Sequence, residues 1–150
     1  MTEQEQRAAV VAEARSWAGT PYHPMADIKG AGCDCAMLLV RVFCDLGLVP
    51  PFDPRPYPPD WHLHNVEERY LGFILDRAAQ VEVPKTGDVM VARYGHGYAH
   101  GGIIVETEPL TIVHAYIGAR RVLEEILGPN LELRSAARKR RFYSYWAPRS

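Results

Sequence analysis

The hydrophobic pattern of the chain changes period at Pro84, and this change limits the folds that the chain can adopt. Before Pro84 the apolar residues recur mainly at helical spacing, whereas after it they alternate along short runs. We therefore predict helices first and then about five strands, at residues 88–92, 99–106, 110–117, 121–126 and 141–146. Helices followed by strands indicate an α+β fold with an antiparallel sheet, in one domain of residues 1–150.

Helices are predicted at residues 2–18, from Asp34 to Gly47, and at residues 65–79. Thr2, with Glu5 or Gln6, resembles a capping box at the first helix. Six prolines between residues 50 and 59 favour an extended segment, and the interleaved aromatic residues place it against the domain. This segment, 50–61, either borders a substrate groove or docks a partner.

The stretch from Gly32 to Gly47 predicts a buried helix that is entered abruptly from a loop. Asp34 is a good N-cap residue, and the apolar residues behind it share one helical face: Leu38, Leu39, Val42, Phe43 and Leu46. Cys35 then lies in the first turn, where unpaired N–H groups and the helix dipole favour a thiolate and lower the thiol pKa. Cys35 is therefore a candidate nucleophile. The alternative is a buried structural thiol, which is our interpretation of Cys44.

Composition excludes several classes of protein. The chain has 150 residues, 47% of them hydrophobic, which is enough for a core. A formal net charge of −1 gives no reason to expect nucleic-acid binding. An odd number of cysteines indicates reduced thiols. The N-terminus lacks the features of a secretion signal and no run is long enough to span a bilayer, so we expect synthesis in the cytoplasm and no membrane partner.

A cysteine nucleophile needs a base and a group that orients the base. Among six histidines, His100 and His114 are each set in an apolar strand, and their even separation allows suitable hairpin registers to place both on one face. Each could satisfy the other, or they could be two separate structural histidines. His62 and His64 lack the cysteines or carboxylates of a zinc site, so no metal or other cofactor is predicted.

Several motifs occur in an order that resembles the NlpC-type family of bacterial cell-wall cysteine peptidases. They are Trp17 to Tyr22, Asp34-Cys35, Gly87-Asp88, the run His100-Gly-Gly-Ile-Ile-Val and Val113-His114-Ala, within residues 8–117. The segment from Tyr57 to Leu63 is also similar to the small members encoded in phage-tail and gene-transfer-agent clusters. Ala36-Met37 departs from the Ser-Gly that the family usually has after its cysteine, which we interpret as a change in site shape.

The resemblance implies a papain-like fold in which N-terminal helices pack on the sheet. It also implies that Cys35 is the nucleophile, His100 the base and His114 the residue that orients the base. Tyr22, Asp34 and Trp61 are the residues assigned to oxyanion or substrate contacts. We expect the cysteine and histidine to form a thiolate–imidazolium pair.

The implied function is a peptidoglycan hydrolase that cleaves stem peptides through a thioester, at the γ-D-glutamyl–diaminopimelate bond. The implied partners are phage-tail or gene-transfer-agent proteins, with the enzyme carried on a virion to periplasmic peptidoglycan. Two alternatives remain open. One is an amidase or acyltransferase of the same fold, and the other is a catalytically silent tail-assembly or wall-binding module.

Overall fold

The computed structural model describes residues 1–55, 72, 76–94, 97–127 and 140–148. Helices α1 (Glu3–Ser16) and α2 (Cys35–Asp45) precede most of the strands. The strands of the described residues are β1 (Asp27–Ile28), β2 (Gly32–Cys33), β3 (Ala79–Val81), β4 (Val89–Tyr94), β5 (Gly97–Thr107), β6 (Leu110–Tyr116), β7 (Arg121–Ile126) and β8 (Arg140–Ser144). A short 3₁₀ turn at Ile117–Ala119 joins β6 to β7.

The predicted starts of the first two helices are confirmed. At α1, the Thr2 hydroxyl accepts the Glu5 N–H at 3.1 Å and the Glu5 carboxylate accepts the Thr2 N–H at 3.3 Å, which completes a capping box. At α2, the Met37 N–H donates to Asp34 Oδ1 at 2.8 Å. Gly47 follows the last turn of α2 with a φ of 75°, as a helix end often requires.

Helix α2 is the centre of the hydrophobic core. It is buried on nearly every side rather than on one face, at Ala36, Met37, Leu38, Leu39, Val40, Val42 and Phe43. A helix with this pattern must be covered from several directions, here by α1 and by the sheet. No helix of the described residues combines the length and hydropathy needed to cross a membrane.

The main sheet has six strands within the described residues, in the order β3-β8-β4-β5-β6-β7. All neighbours pair antiparallel, so the predicted α+β class is confirmed. Each of the five predicted strands is present, with ends shifted by a few residues except at β7. Strands β5 and β6 form the expected hairpin, which turns between Thr107 and Leu110.

Strand β3 was not predicted, and it corrects the end of the helix predicted at residues 65–79. Asp76 and Arg77 form a turn, and Ala79 already pairs with Ser144 of β8. Three residues are too few to show strand alternation, so a partner distant in sequence decides their conformation. Gly72 is helical, and the rest of that predicted helix lies outside the described residues.

Strands β1 and β2 form a small hairpin within the loop that precedes α2, where no regular element was predicted. Asp27 pairs with Cys33 and Ile28 with Gly32. The His23 N–H also donates to the Cys33 carbonyl at 3.0 Å. Backbone pairing therefore fixes the entry to α2, although its sequence contains Pro24, Gly30 and Gly32.

The two faces of the main sheet carry different apolar clusters. One face packs against α1 and α2 and contributes Val91, Ile103, Val113 and Val122 to the main core. The opposite face carries a second cluster of Met90, Ala92, Ile104, Ile112 and Leu127. Both faces of the central strands are therefore buried, so their apolar residues are nearly continuous rather than alternating as expected.

The start of the proline-rich segment lies against the domain, as expected. Phe52 packs on the main core, and Arg55 Nη1 donates to the Met25 carbonyl at 3.0 Å. Arg55 also lies 3.3 Å from a carboxylate oxygen of Asp27. Residues 56–61 lie outside the described residues.

A buried ion pair joins α1 to the turn before β4. Arg7 Nη1 donates to Asp88 Oδ1 at 2.7 Å and to the Thr86 carbonyl at 2.9 Å, while Nη2 donates to the Ser144 hydroxyl at 3.2 Å. Gly87 has a φ of 92°, and a Cβ there would lie 3.3 Å from Arg7 Cα. The Gly87-Asp88 turn therefore serves to dock the first helix and β8.

We expect Asp88→Asn to lower the free energy of unfolding by about 3 kcal/mol, because it removes the buried carboxylate of the pair and leaves beside Arg7 the half-exposed carboxylate of Glu3. For a chain of this size that corresponds to a fall of roughly 6–12 °C in melting temperature, measurable by calorimetry. The matched control is Asp45→Asn, which breaks an exposed pair with Arg41 at 3.4 Å. That variant should lose less than about 0.5 kcal/mol. Equal losses in the two variants would contradict the role given to Asp88.

Candidate active site

Cys35 is the first residue of α2 and has 3% of its surface exposed. The Asp34 side chain before it accepts two backbone N–H groups, from Met37 at 2.8 Å and from Met25 at 2.7 Å. These bonds tie α2 to the loop in front of it. Oδ1 of Asp34 thus caps the helix while Oδ2 holds the loop, and the charge of Asp34 lies beside the Cys35 thiol.

The first turns of α2 approach β5 closely at Gly101. A Cβ at this position would lie 2.9 Å from Leu39 Cδ1, a side chain with no exposed surface. The Gly101 N–H in turn donates a hydrogen bond to the Cys35 sulfur. The glycine therefore allows the close approach of the helix, and the contact brings Cys35 next to the residue that follows His100.

His100 and His114 are bonded to each other. His100 Nε2 lies 2.7 Å from His114 Nδ1, and the two rings meet edge to face at a centroid distance of 4.9 Å. Gly102 makes room for this arrangement, because a Cβ there would lie 3.1 Å from His114 Cβ. The pairing on one face is therefore confirmed, and the alternative of two separately satisfied histidines is wrong.

Two further residues complete this cluster, and our reading of the sequence did not identify either. His114 Nε2 lies 2.9 Å from Glu125 Oε1, and the Tyr116 ring stacks on His114 at 5.2 Å with an interplanar angle of 15°. Glu125 belongs to a strand that was predicted with the right bounds. The register of β6 and β7, however, is not readable from the sequence. It pairs His114 with Leu123, and Glu125, two residues after Leu123, therefore lies on the same face as His114.

Burial controls the protonation of the thiol and of His100. Desolvation, followed by the charge of Asp34, raises the pKa of Cys35, although N–H groups of Gly101 and Cys35 itself oppose the rise. The expected fall in this pKa is wrong, because the dipole of one helix is weaker than complete desolvation of the thiolate. Burial, and then the nearby His114, lowers the pKa of His100 well below its usual value. A neutral thiol and a neutral imidazole are therefore the resting forms.

The remaining predicted site residues are only partly described. Tyr22 forms a parallel bridge with Cys33, its N–H donates to the Arg120 carbonyl at 2.9 Å, and its half-buried side chain packs on the core. Trp61 lies outside the described residues, as do His62, His64 and His96. Ala36 and Met37 are both buried in the main core.

Among the described residues, no group of three or more metal-binding side chains is placed to hold an ion.

Comparison with known proteins identifies the fold. Neither a family model nor a curated protein sequence matches the chain. Among solved structures, the chain is similar to the NlpC/p60 domain of the peptidoglycan hydrolase SagA, with 22% sequence identity and a TM-score of 0.52. The match covers 80% of this chain and 88% of that domain. The chain thus shares the papain-like α+β fold of an NlpC/p60 domain.

The lowered pKa of His100 predicts a loss of stability in weak acid. The unfolded chain takes up a proton near the reference pKa of about 6.5, whereas folded His100 takes it up only at lower pH. The free energy of unfolding should therefore fall as pH drops below about 6.5, by up to about 1.4 kcal/mol per pH unit for one proton. Urea unfolding between about pH 5 and 8 should show this slope in the wild type and a shallower one in His100→Asn. Identical slopes in the two proteins would contradict the assignment.

Proposed function

We propose that this protein is a cell-wall hydrolase, specifically a cysteine peptidase in which Cys35 is the nucleophile, His100 the base and His114 the residue that orients the base. One observation carries the proposal. The buried His100–His114 pair lies directly beside the Gly101 N–H that bonds the Cys35 sulfur. The fold shared with an NlpC/p60 domain from a peptidoglycan hydrolase supports the same chemistry.

In the proposed first step, His100 removes the thiol proton as the Cys35 sulfur attacks an amide carbonyl carbon. Because both groups are neutral at rest, proton transfer accompanies attack and does not precede substrate binding as a stable ion pair. The tetrahedral oxyanion would be stabilised by the Cys35 N–H and the Tyr22 hydroxyl, a contribution often worth about 3 kcal/mol per donor. The proton on His100 then passes to the leaving amine as the C–N bond breaks, which leaves a thioester on Cys35.

In the second step, water attacks the thioester carbonyl. His100 takes a proton from this water, the C–S bond breaks, and the thiolate recovers the proton. The sum of the two steps is hydrolysis of one amide bond, with Cys35 and His100 returned to their resting forms. His114 holds the His100 ring in place throughout, and stacking by Tyr116 restrains His114 in turn.

The proposed substrate is the peptidoglycan stem peptide, cut at the γ-D-glutamyl–diaminopimelate bond. This assignment depends on the motif resemblance and on the activity named for the similar SagA protein. We also propose that Trp61 borders the substrate groove and that the protein is carried on a phage tail or gene-transfer particle to periplasmic peptidoglycan. The only support for the proposed carrier is the resemblance of the sequence at residues 57–63 to the small family members encoded in phage-tail and gene-transfer-agent clusters.

A second candidate is a catalytically silent wall-binding or tail-assembly module. The observation that favours it is the Cys35 thiol itself, which is 3% exposed and has a raised pKa, as a structural thiol would. Such a module would bind insoluble peptidoglycan without releasing soluble peptides.

We expect the wild-type protein to release soluble peptides from purified sacculi and Cys35→Ala to release none, because alanine cannot form the thioester. Liquid chromatography with mass spectrometry of the products also identifies the bond that is cut. The matched control is Cys44→Ala on the same helix, where the lost Sγ contact to the Pro50 carbonyl spans 3.7 Å. This control should keep wild-type activity.

Activity that persists in Cys35→Ala would refute the proposed nucleophile. Binding of wild-type protein to sacculi without release of any peptide would support the silent module instead. A parallel panel of lipid and small amides distinguishes the peptidase from an amidase or acyltransferase of the same fold.

A further inference from the structure

Glu125 is placed behind the histidine pair by the register of β6 and β7. His114 pairs with Leu123 and Ile112 pairs with Glu125, so His114 and Glu125 are diagonal neighbours on one face. The adjacent Glu124 lies on the other face, where its carboxylate accepts a hydrogen bond from Arg15 Nε at 2.9 Å. Two successive glutamates therefore have different surroundings, and only Glu125 reaches the buried imidazole of His114.

Both ring nitrogens of His114 are used, and this constrains where its proton lies. An ionised carboxylate only accepts hydrogen bonds, so the 2.9 Å contact with Glu125 requires a proton on His114 Nε2. A neutral His114 then has a lone pair on Nδ1. The 2.7 Å contact with His100 can form only if His100 Nε2 carries the proton and donates it.

The same reasoning extends to the reactive end of the cluster. A neutral His100 with its proton on Nε2 has its lone pair on Nδ1. Nδ1 is thus the basic nitrogen of His100, and the carboxylate that decides this is two hydrogen bonds away. Without that carboxylate, either nitrogen of His114 could carry the proton, and His100 would lose its preference as well.

We propose that Glu125 is a positioning residue, which sets the tautomers of His114 and His100 and thereby makes Nδ1 of His100 the basic nitrogen. Its negative charge also favours the imidazolium that forms on His100 when it takes a proton. The tautomer assignment is independent of the reaction, whereas the effect on turnover rests on the proposed function. The two parts are therefore measured separately.

The tautomers are measured directly by long-range ¹H–¹⁵N NMR of histidine-labelled full-length protein at about pH 8, above the reference pKa of histidine. In the wild type we expect His100 and His114 each to carry the proton on Nε2 and a lone pair on Nδ1. Glu125→Gln retains an amide oxygen that can accept from His114, so the tautomers should persist. Glu125→Leu removes the acceptor, and the signals of both rings should shift toward a mixture of tautomers.

Glu124→Leu is the matched control, because it removes a carboxylate from the same strand without touching His114. A wild-type protein with its proton on Nδ1 of His114 would overturn the proposal. Unchanged tautomers in Glu125→Leu would overturn it as well. If Glu125→Leu fails to fold, the wild type still decides, since a proton on Nε2 of both rings supports the proposal and a proton on Nδ1 of either ring contradicts it.

Turnover is then measured as the rate at which each variant forms the peptide that the wild type releases. Glu125→Leu should lower kcat about tenfold to a hundredfold with little change in KM, as expected for loss of a group that orients a catalytic residue. Glu125→Gln should recover part of this loss, and Glu124→Leu should match the wild type. An unchanged kcat in Glu125→Leu would refute the role in the reaction. A wild type without any hydrolytic activity would refute the proposed function, while the NMR result would still test the tautomers.

Discussion

The close approach of α2 to β5 at Gly101 is the constraint on which the rest of the site depends. A Cβ at this position would lie 2.9 Å from Leu39 Cδ1, and Leu39 is fully buried in the core. The absence of a Cβ allows the Gly101 N–H to reach the sulfur of Cys35. The packing of an apolar helix on a sheet therefore decides where the thiol lies, and one glycine makes that packing possible.

The main sheet is buried on both faces. One face packs against the helices, and the other carries the smaller apolar cluster and the polar line from His100 through His114 to Glu125. Each buried polar group in this line has a partner, so the cluster does not leave unsatisfied donors in the interior. Away from this line, in the first half of α1, a buried ion pair between Arg7 and Asp88 fixes the helix to the strands. The site is thus supported by rigid elements on several sides.

The ionisation of the site shows how burial outweighs a helix dipole. A charge at a helix N-terminus gains up to about 2 kcal/mol from the dipole. Complete burial shifts a pKa by up to about 3–5 units, and each unit corresponds to about 1.4 kcal/mol. Burial therefore dominates at Cys35, and the adjacent Asp34 charge acts in the same direction. Position at the start of a helix is therefore not sufficient evidence for a thiolate, because the burial of the thiol must be known as well.

The sequence by itself determined the elements whose signals are local. Capping at Thr2 and Asp34, the apolar helix, the short apolar strands and hence the α+β class all depend on residues within a few positions of one another. The same local pattern identified Cys35, His100 and His114 as candidates. Only the tertiary structure decided the short strand β3, the Arg7–Asp88 pair, the protonation of the thiol and the place of Glu125 behind His114. These features depend on the pairing register and on burial between segments far apart in the chain, which no local pattern encodes.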